Sequence, residues 1–223
     1  MNSIEIKPKA FLFENVPGIL TINKGRDWKE MLSVFERETG YHLTSTKLNA
    51  VWFGVPQYRQ RIILLGFRRK QDHDRFQWPK RTHSESFDQP EFGMCLPRKA
   101  GLAFDDLAGL PNQIIREHCD RVASRYSKIP CGGRDRKDHT DRIHPERPSG
   151  TVLVGSGAGG GRPFIHPFEP RHITVREAAR LQSFPDWWKF SGGPTAAYRQ
   201  VGNAVPPMMA RAVAKEIAKA IEG

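Results

Sequence analysis

Val51-Trp52-Phe53-Gly54-Val55-Pro56-Gln57-Tyr58-Arg59-Gln60-Arg61-Ile62-Ile63-Leu64-Leu65-Gly66-Phe67 joins a polar cluster, Gln57 to Arg61, to an unbroken apolar run, Ile62 to Phe67. The run reads as a buried strand. Upstream, Ala10–Phe13 is another apolar run that stops at Glu14 and is followed by Asn15-Val16-Pro17-Gly18, the pattern of a buried strand with a carboxylate at its C-terminal edge. Between the two, Asp27 and Glu30 have the spacing of a capping box. Trp28, Met31, Leu32 and Phe35 then recur at helical spacing until Gly40. Strand, helix, strand predicts part of an α/β sheet.

Downstream of Phe67 the composition changes. From Arg68 to about Pro170 the chain is rich in Arg, Lys, His, Gly and Pro, and its one periodic segment suggests a short helix around Gln113–Val122. Regularity returns at Thr174-Val175-Arg176-Glu177, a second capping-box pattern ahead of Ala178, Ala179 and Leu181. From Pro207 to Ile221, Met209, Val213, Ile217 and Ile221 share one helical face. The expected domains are residues 1–67 (α/β), 68–170 (a smaller, loop-rich basic lobe) and 171–223 (a helical segment returning to the first).

The 223 residues carry 35 Lys+Arg against 24 Asp+Glu, a net charge of +11, which favours a polyanionic partner, nucleic acid above all. No run of about 18 apolar residues marks a membrane span, and the N-terminus lacks the order of a secretory signal. Cys95, Cys119 and Cys131 are too few for a disulfide framework and show no zinc spacing, so an intracellular, cytoplasmic setting and no metal are expected.

Several motifs carry both a chemical and a plain structural reading. Glu14 at a strand end is either catalytic or a loop cap. Arg59 and Arg61, at alternate positions entering a strand, share one face and suit a phosphate or a base carbonyl, or form a solvated basic end. Gly202-Asn203-Ala204-Val205-Pro206-Pro207 is a turn and helix start, with Asn203 an N-cap candidate. Gly155–Gly161 lacks the Lys-Ser/Thr of a phosphate loop and reads as a flexible loop. Cys131 is a lone loop thiol near Arg134.

Taken together and in order, PKAFLFENVPGIL, LNAVWFGVPQYRQRIILLGFRR, IHPFEPRHITVREAARLQSFPD and YRQVGNAVPPMMARAVAKEIAKAI resemble the second half of the DNA (cytosine-5) methyltransferases. The resemblance implies a partial Rossmann-like methyltransferase sheet with a target-recognition lobe. It also implies methyl transfer from S-adenosylmethionine to C5 of a cytosine flipped out of double-stranded DNA. On it, Glu14 would bond N3 and the exocyclic amine of that base, and Arg61, supported by Arg59, would hold O2 and a neighbouring phosphate. Asn203 and Ala204 would line the cofactor pocket, with Tyr198 and Gln200 positioning their loop. Arg176 and Glu177 would begin the helix that mounts the recognition lobe, with Arg176 counted among the DNA-binding residues.

The family's nucleophile is a cysteine in a Pro-Cys-Gln loop ahead of the Glu block, preceded by a Phe-x-Gly-x-Gly cofactor loop. Neither occurs in these 223 residues, and Cys131, followed by Gly, is a poor substitute. The expectation is therefore a C-terminal subunit or fragment that works with an N-terminal methyltransferase half. A non-catalytic DNA-recognition protein and an inactive gene remnant are the alternatives.

Overall fold

A computed structural model describes residues 6–153 and 164–223; Gly155–Gly161 lies outside them. Packing divides the chain into two units, residues 1–49 with 60–80 and 210–223, and residues 50–59 with 81–209. These units cut the chain elsewhere than at 67/68 and 170/171.

The first unit is built on three strands, β1 (Ala10–Asn15), β2 (His42–Asn49) and β3 (Gln60–Phe67), in the order β1-β3-β2 with both pairings antiparallel. The apolar run occupies the centre, where both flanks are paired, and Ile62, Ile63, Leu64, Leu65 and Phe67 are buried. β1 is not the buried strand its composition predicts. It has β3 as its one described neighbour, and Leu12 is 46% exposed. β2 is unforeseen: His42-Leu43-Thr44-Ser45-Thr46-Lys47-Leu48-Asn49 is mostly polar, as suits a flanking strand. The helix therefore leads into β2 rather than directly into β3.

That helix, α1 (Arg26–Thr39), closes at Gly40, whose φ of 68° and amide bond to Glu36 O make a left-handed C-terminal stop. The expected Asp27–Glu30 box does not form. Gly25, at φ 79°, caps the helix two residues earlier, and Asp27 sits within the first turn, accepting from Asn23 Nδ2. Phe35 packs its ring on Phe11 at 5.4 Å and on Phe13 at 6.3 Å, so α1 covers the sheet face carrying the odd-numbered residues of β1. Gly66 stands opposite Phe11 in register, and a Cβ there would lie 2.1 Å from the Phe11 ring. On the opposite face, α2 (Lys70–Arg75) and Phe76 reach the end of β3, with Phe67 5.2 Å from Phe76 and 6.3 Å from His73. Residues 68–80 thus pack with the sheet.

The second unit is largely irregular, around α3 (Asp120–Ser127), a short ladder of β4 (Arg134–Asp135) with β5 (Thr140–Asp141), α4 (Val175–Leu181) and α5 (Pro194–Asn203). Its core joins Ala100, Ile143, Val152, Ala178, Leu181 and Val201. The helix expected over Gln113–Val122 forms instead at Asp120–Ser127. Asn112 adopts φ 64°, and the side chains of Asn112 and Gln113 are engaged by Phe190, Thr174 and Glu177, so this stretch is an extended strap. α4 begins with the expected capping box: Thr174 Oγ1 accepts from Glu177 N, and Glu177 accepts from Thr174 N. The terminal helix α6 (Pro207–Glu222) starts after the turn, so Asn203 ends α5 rather than capping α6. Among the described residues no helix is long and apolar enough to cross a membrane.

Candidate functional site

The first unit brings Glu14 and Arg61 together. Glu14 pairs with Ile63 across β1 and β3, so Arg61, two residues before Ile63, is its diagonal neighbour on the same face. Arg61 Nε lies 2.7 Å from Glu14 Oε1, with side-chain exposures of 10% and 20%. Oε1, the buried carboxylate oxygen, is the one that meets the guanidinium, so the contact is an ion pair shielded from solvent. Burial lowers the Arg61 pKa from its ordinary value, with Glu14 opposing that shift. The pair is a carboxylate held in place by a cation, with acceptor capacity to spare.

In the second unit, Gln57 and Arg59 turn inward. Gln57 is fully buried, donating to Leu181 O at 3.2 Å and accepting from Val152 N at 3.1 Å. Arg59 is 0% exposed, and its guanidinium donates to Val152 O (3.2 Å), Gly202 O (2.6 Å) and Ala204 O (3.0 Å). The Gln-x-Arg-x-Arg motif therefore divides: Arg61 meets Glu14, while Gln57 and Arg59 clamp backbone. The clamp fixes the turn on both sides of Asn203. That residue is exposed, and its side chain makes no hydrogen bond among the described residues. Ala204 is half-buried. Tyr198, expected to position this loop, is buried with no hydrogen-bond partner for its hydroxyl among the described residues, and burial raises its pKa. Gln200 donates to Ser191 O at 2.7 Å.

Arg176 is also 0% exposed. It donates to Pro111 O (2.9 Å), Pro185 O (3.1 Å) and Trp188 O, tying the 111–113 strap and the 185–188 turn to α4. Beside it, Glu177 receives both Arg171 nitrogens (2.8 and 3.0 Å), Gln113 Nε2 (3.1 Å) and Thr174 N (2.7 Å). Burial alone would raise the Glu177 pKa, yet Arg171 and these donors hold it below the ordinary value. Burial pushes His166 down to about 4 and His172 down to about 4, so both imidazoles are neutral at pH 7. His172 Nε2 lies 2.8 Å from Tyr126 Oη, which contacts Asp138 at 3.0 Å. Nothing in the sequence singles out Gln113 or Asn112, because their partners are 61 to 78 positions away, and the partners of Arg171, Glu169 and Glu177, are close in the chain but no motif links them to it.

Cys131 is exposed, and its thiol donates to Pro167 O at 3.4 Å. Among the described residues no group of three metal-ligating side chains occurs.

Residues 4–219 match the family model described as C-5 cytosine-specific DNA methylase. The chain is 37% identical to the Type II methyltransferase M.NgoFVII of Neisseria gonorrhoeae over 95% of its own length and 59% of that protein. It is 32% identical to the Type II methyltransferase M.Bpa9945I of Bacillus paralicheniformis, over 98% of its own length and 62% of that protein. It thus spans less than two thirds of the length of these relatives. Among solved structures, a prophage-encoded E. coli protein described as a DNA modification methyltransferase superposes with a TM-score of 0.70 at 24% identity, covering 99% of this chain and 72% of that one. The S. pombe Dnmt2 methyltransferase gives 0.60 at 17%, covering 97% and 66%. At these identities the structural likeness is one of fold.

Proposed function

The chain belongs to the C-5 cytosine-specific DNA methylase family, and from that premise we propose that it forms the base-gripping and DNA-recognition portion of a DNA (cytosine-5) methyltransferase, acting on cytosine flipped from duplex DNA with S-adenosylmethionine as methyl donor. One observation carries this reading: a carboxylate at a strand end, mostly shielded from solvent and anchored through one oxygen by Arg61, as a base-gripping pair requires. Glu14 hydrogen-bonds N3 and the exocyclic amine of the base and draws charge from the ring, which makes C6 open to a thiolate. Arg61 holds Glu14 and faces the base carbonyl or its phosphate. Arg59 and Arg176, both enclosed, act as positioning residues, one for the Asn203 turn and one for the 185–188 turn.

The donor, when bound, supplies a methyl group on a positively charged sulfur. Toward it the residues present fit as one wall: Asn203 offers an amide with both donors and an acceptor on a turn that Arg59 holds fixed. The thiolate and the rest of that pocket come from polypeptide other than these 223 residues, as a separate subunit or a longer chain. The outer edge of β1, unpaired among the described residues, is where further strands of one sheet join.

The test is methyl transfer from labelled donor to DNA. The 223-residue chain alone transfers none, and a polypeptide carrying the Phe-x-Gly-x-Gly and Pro-Cys-Gln blocks restores transfer. Transfer by the chain alone, abolished in Cys131→Ser, overturns the reading. A salt titration adds a second arm: log affinity for duplex DNA falls with log salt by roughly 0.9 per phosphate contact, and Arg61→Ala loses most where the target cytosine is mismatched.

A further inference from the structure

A cavity of about 290 Å³ opens in the second unit, near the lower end of the range for small-ligand sites (about 300 Å³), and neither Glu14, Arg61 nor Asn203 lines it. Its lining combines apolar side chains, Leu102, Phe184 and Met208 among them, with the cations Arg98, Lys99 and Arg180. Arg180 is held by Asp186 at 2.8 and 2.9 Å, and Lys99 pairs with Glu146. Arg98 is exposed and makes no ion pair or hydrogen bond among the described residues. Trp187 follows the lining residue Asp186 in the chain without lining the cavity itself; it is 73% exposed, and its ring lies 5.6 Å from that of Trp188. This turn is not loose. Trp188 N donates to Pro185 O at 3.1 Å, and Arg176 grips the carbonyls of Pro185 and Trp188 from beneath.

A large indole on a fixed turn, next in the chain to a residue that lines the cavity and followed by the exposed Trp188 and Lys189, together with the uncommitted guanidinium of the cavity lining, suits a partner that is both flat and anionic. Nucleic acid has both properties; Asp186, the one carboxylate among the described lining residues, is spent on Arg180, as is the field of the nearby Asp105 and Asp106. We infer that the cavity and Trp187 form a subsite for one nucleotide of a DNA strand. Arg98 holds the phosphate, Leu102 and Phe184 receive the sugar or base face, and Trp187 stacks on the adjacent base. The inference rests on the DNA reading above and extends it to residues outside the base-gripping pair.

The experiment is equilibrium binding of the full 223-residue chain to a short oligonucleotide, single- and double-stranded, across a salt series. Trp187→Ala weakens single-strand binding on the order of tenfold and Trp187→Phe restores most of it, as stacking requires. Arg98→Ala lowers the salt slope by about 0.7 on single strands, one phosphate contact. Both side chains are exposed, and the urea midpoints of the variants match the parent. Salt-dependent binding by the parent with unchanged affinity and slope in both variants overturns this inference and leaves the DNA reading standing. An absence of salt-dependent binding by the parent overturns both. Variants that keep their DNA affinity but lose association with the complementary methyltransferase half make the surface a protein interface, which also overturns it.

Discussion

Glu14 and Arg61 are neighbours through strand register: the direct partner of Glu14 is Ile63, and Arg61 precedes Ile63 by one pleat on the same face, its Nε 2.7 Å from Glu14 Oε1. A slip of one residue between β1 and β3 would send the two side chains to opposite faces of the sheet. The chemistry of the pair is thus a property of the antiparallel pairing.

Glu14→Gln in the reconstituted enzyme keeps shape and some hydrogen bonding but removes the carboxyl. Single-turnover methyl transfer is expected to fall by about 10²–10⁴-fold while DNA affinity changes little. An unchanged transfer rate with weakened affinity would make Glu14 a contact residue.

Arg59→Lys separates charge from shape. An ammonium supplies three donors from a single point and lacks the planar fork that spans Val152, Gly202 and Ala204 carbonyls. The expected loss is about 1–3 kcal/mol, read from urea unfolding, with Arg59→Ala costing more because buried carbonyls are left unpaired. Equal stability of Arg59→Lys and the parent would remove the clamp from the argument.

Gly66→Ala tests the aromatic cover on β3. The new methyl would sit 2.1 Å from Phe11, whose ring is already stacked on Phe35 and packed on Tyr41, so overpacking is expected to cost about 1–3 kcal/mol. Adding Phe11→Leu should cancel part of that cost. A coupling energy near zero between the two substitutions contradicts the arrangement.

Acid should weaken the second unit in a defined window. His166 and His172 have folded pKa values of about 4 against about 6.5 unfolded, so the unfolded chain binds more protons between these limits. Their contribution is fully present above pH about 6.5 and is lost as pH falls toward about 4. Glu177, held below its ordinary pKa, adds stability present above the unfolded carboxylate pKa and lost as pH falls through its own. Urea midpoints measured from pH 7 down to 4 should decline, and His172→Gln should flatten that decline. A midpoint independent of pH over this range would contradict buried neutral histidines.

What the sequence discloses follows from how local each signal is. The Ile62–Phe67 strand, the Gly40 stop and the Thr174–Glu177 box each depend on residues within a few positions, and each is legible. β2 escapes because its Thr, Ser and Lys are paired to β3 on one side and carry no apolar run. Asp27 and Glu30 have the spacing of a cap without being one, since Gly25 sets the entry. For the candidate site, the motif Gln57-x-Arg59-x-Arg61 is visible but its division is not. Periodicity puts all three side chains on one face, yet Arg59 is enclosed by carbonyls far along the chain while Arg61 is aimed at Glu14. Arg59 and Arg176, which composition alone reads as surface cations, are among the most enclosed side chains of the protein.

The bond from Arg59 to Gly202 joins residues 143 positions apart. A ribosome delivers the guanidinium first and its acceptor carbonyls long afterwards, so for most of synthesis Arg59 has to stay hydrated and the polypeptide around it unfinished. Closure of the second unit is consequently a late event in the life of the nascent chain. A premature stop ahead of Gly202 would remove only the last segment, yet it would leave Arg59 without its Gly202 and Ala204 acceptors and expose the unit to chaperones or proteases.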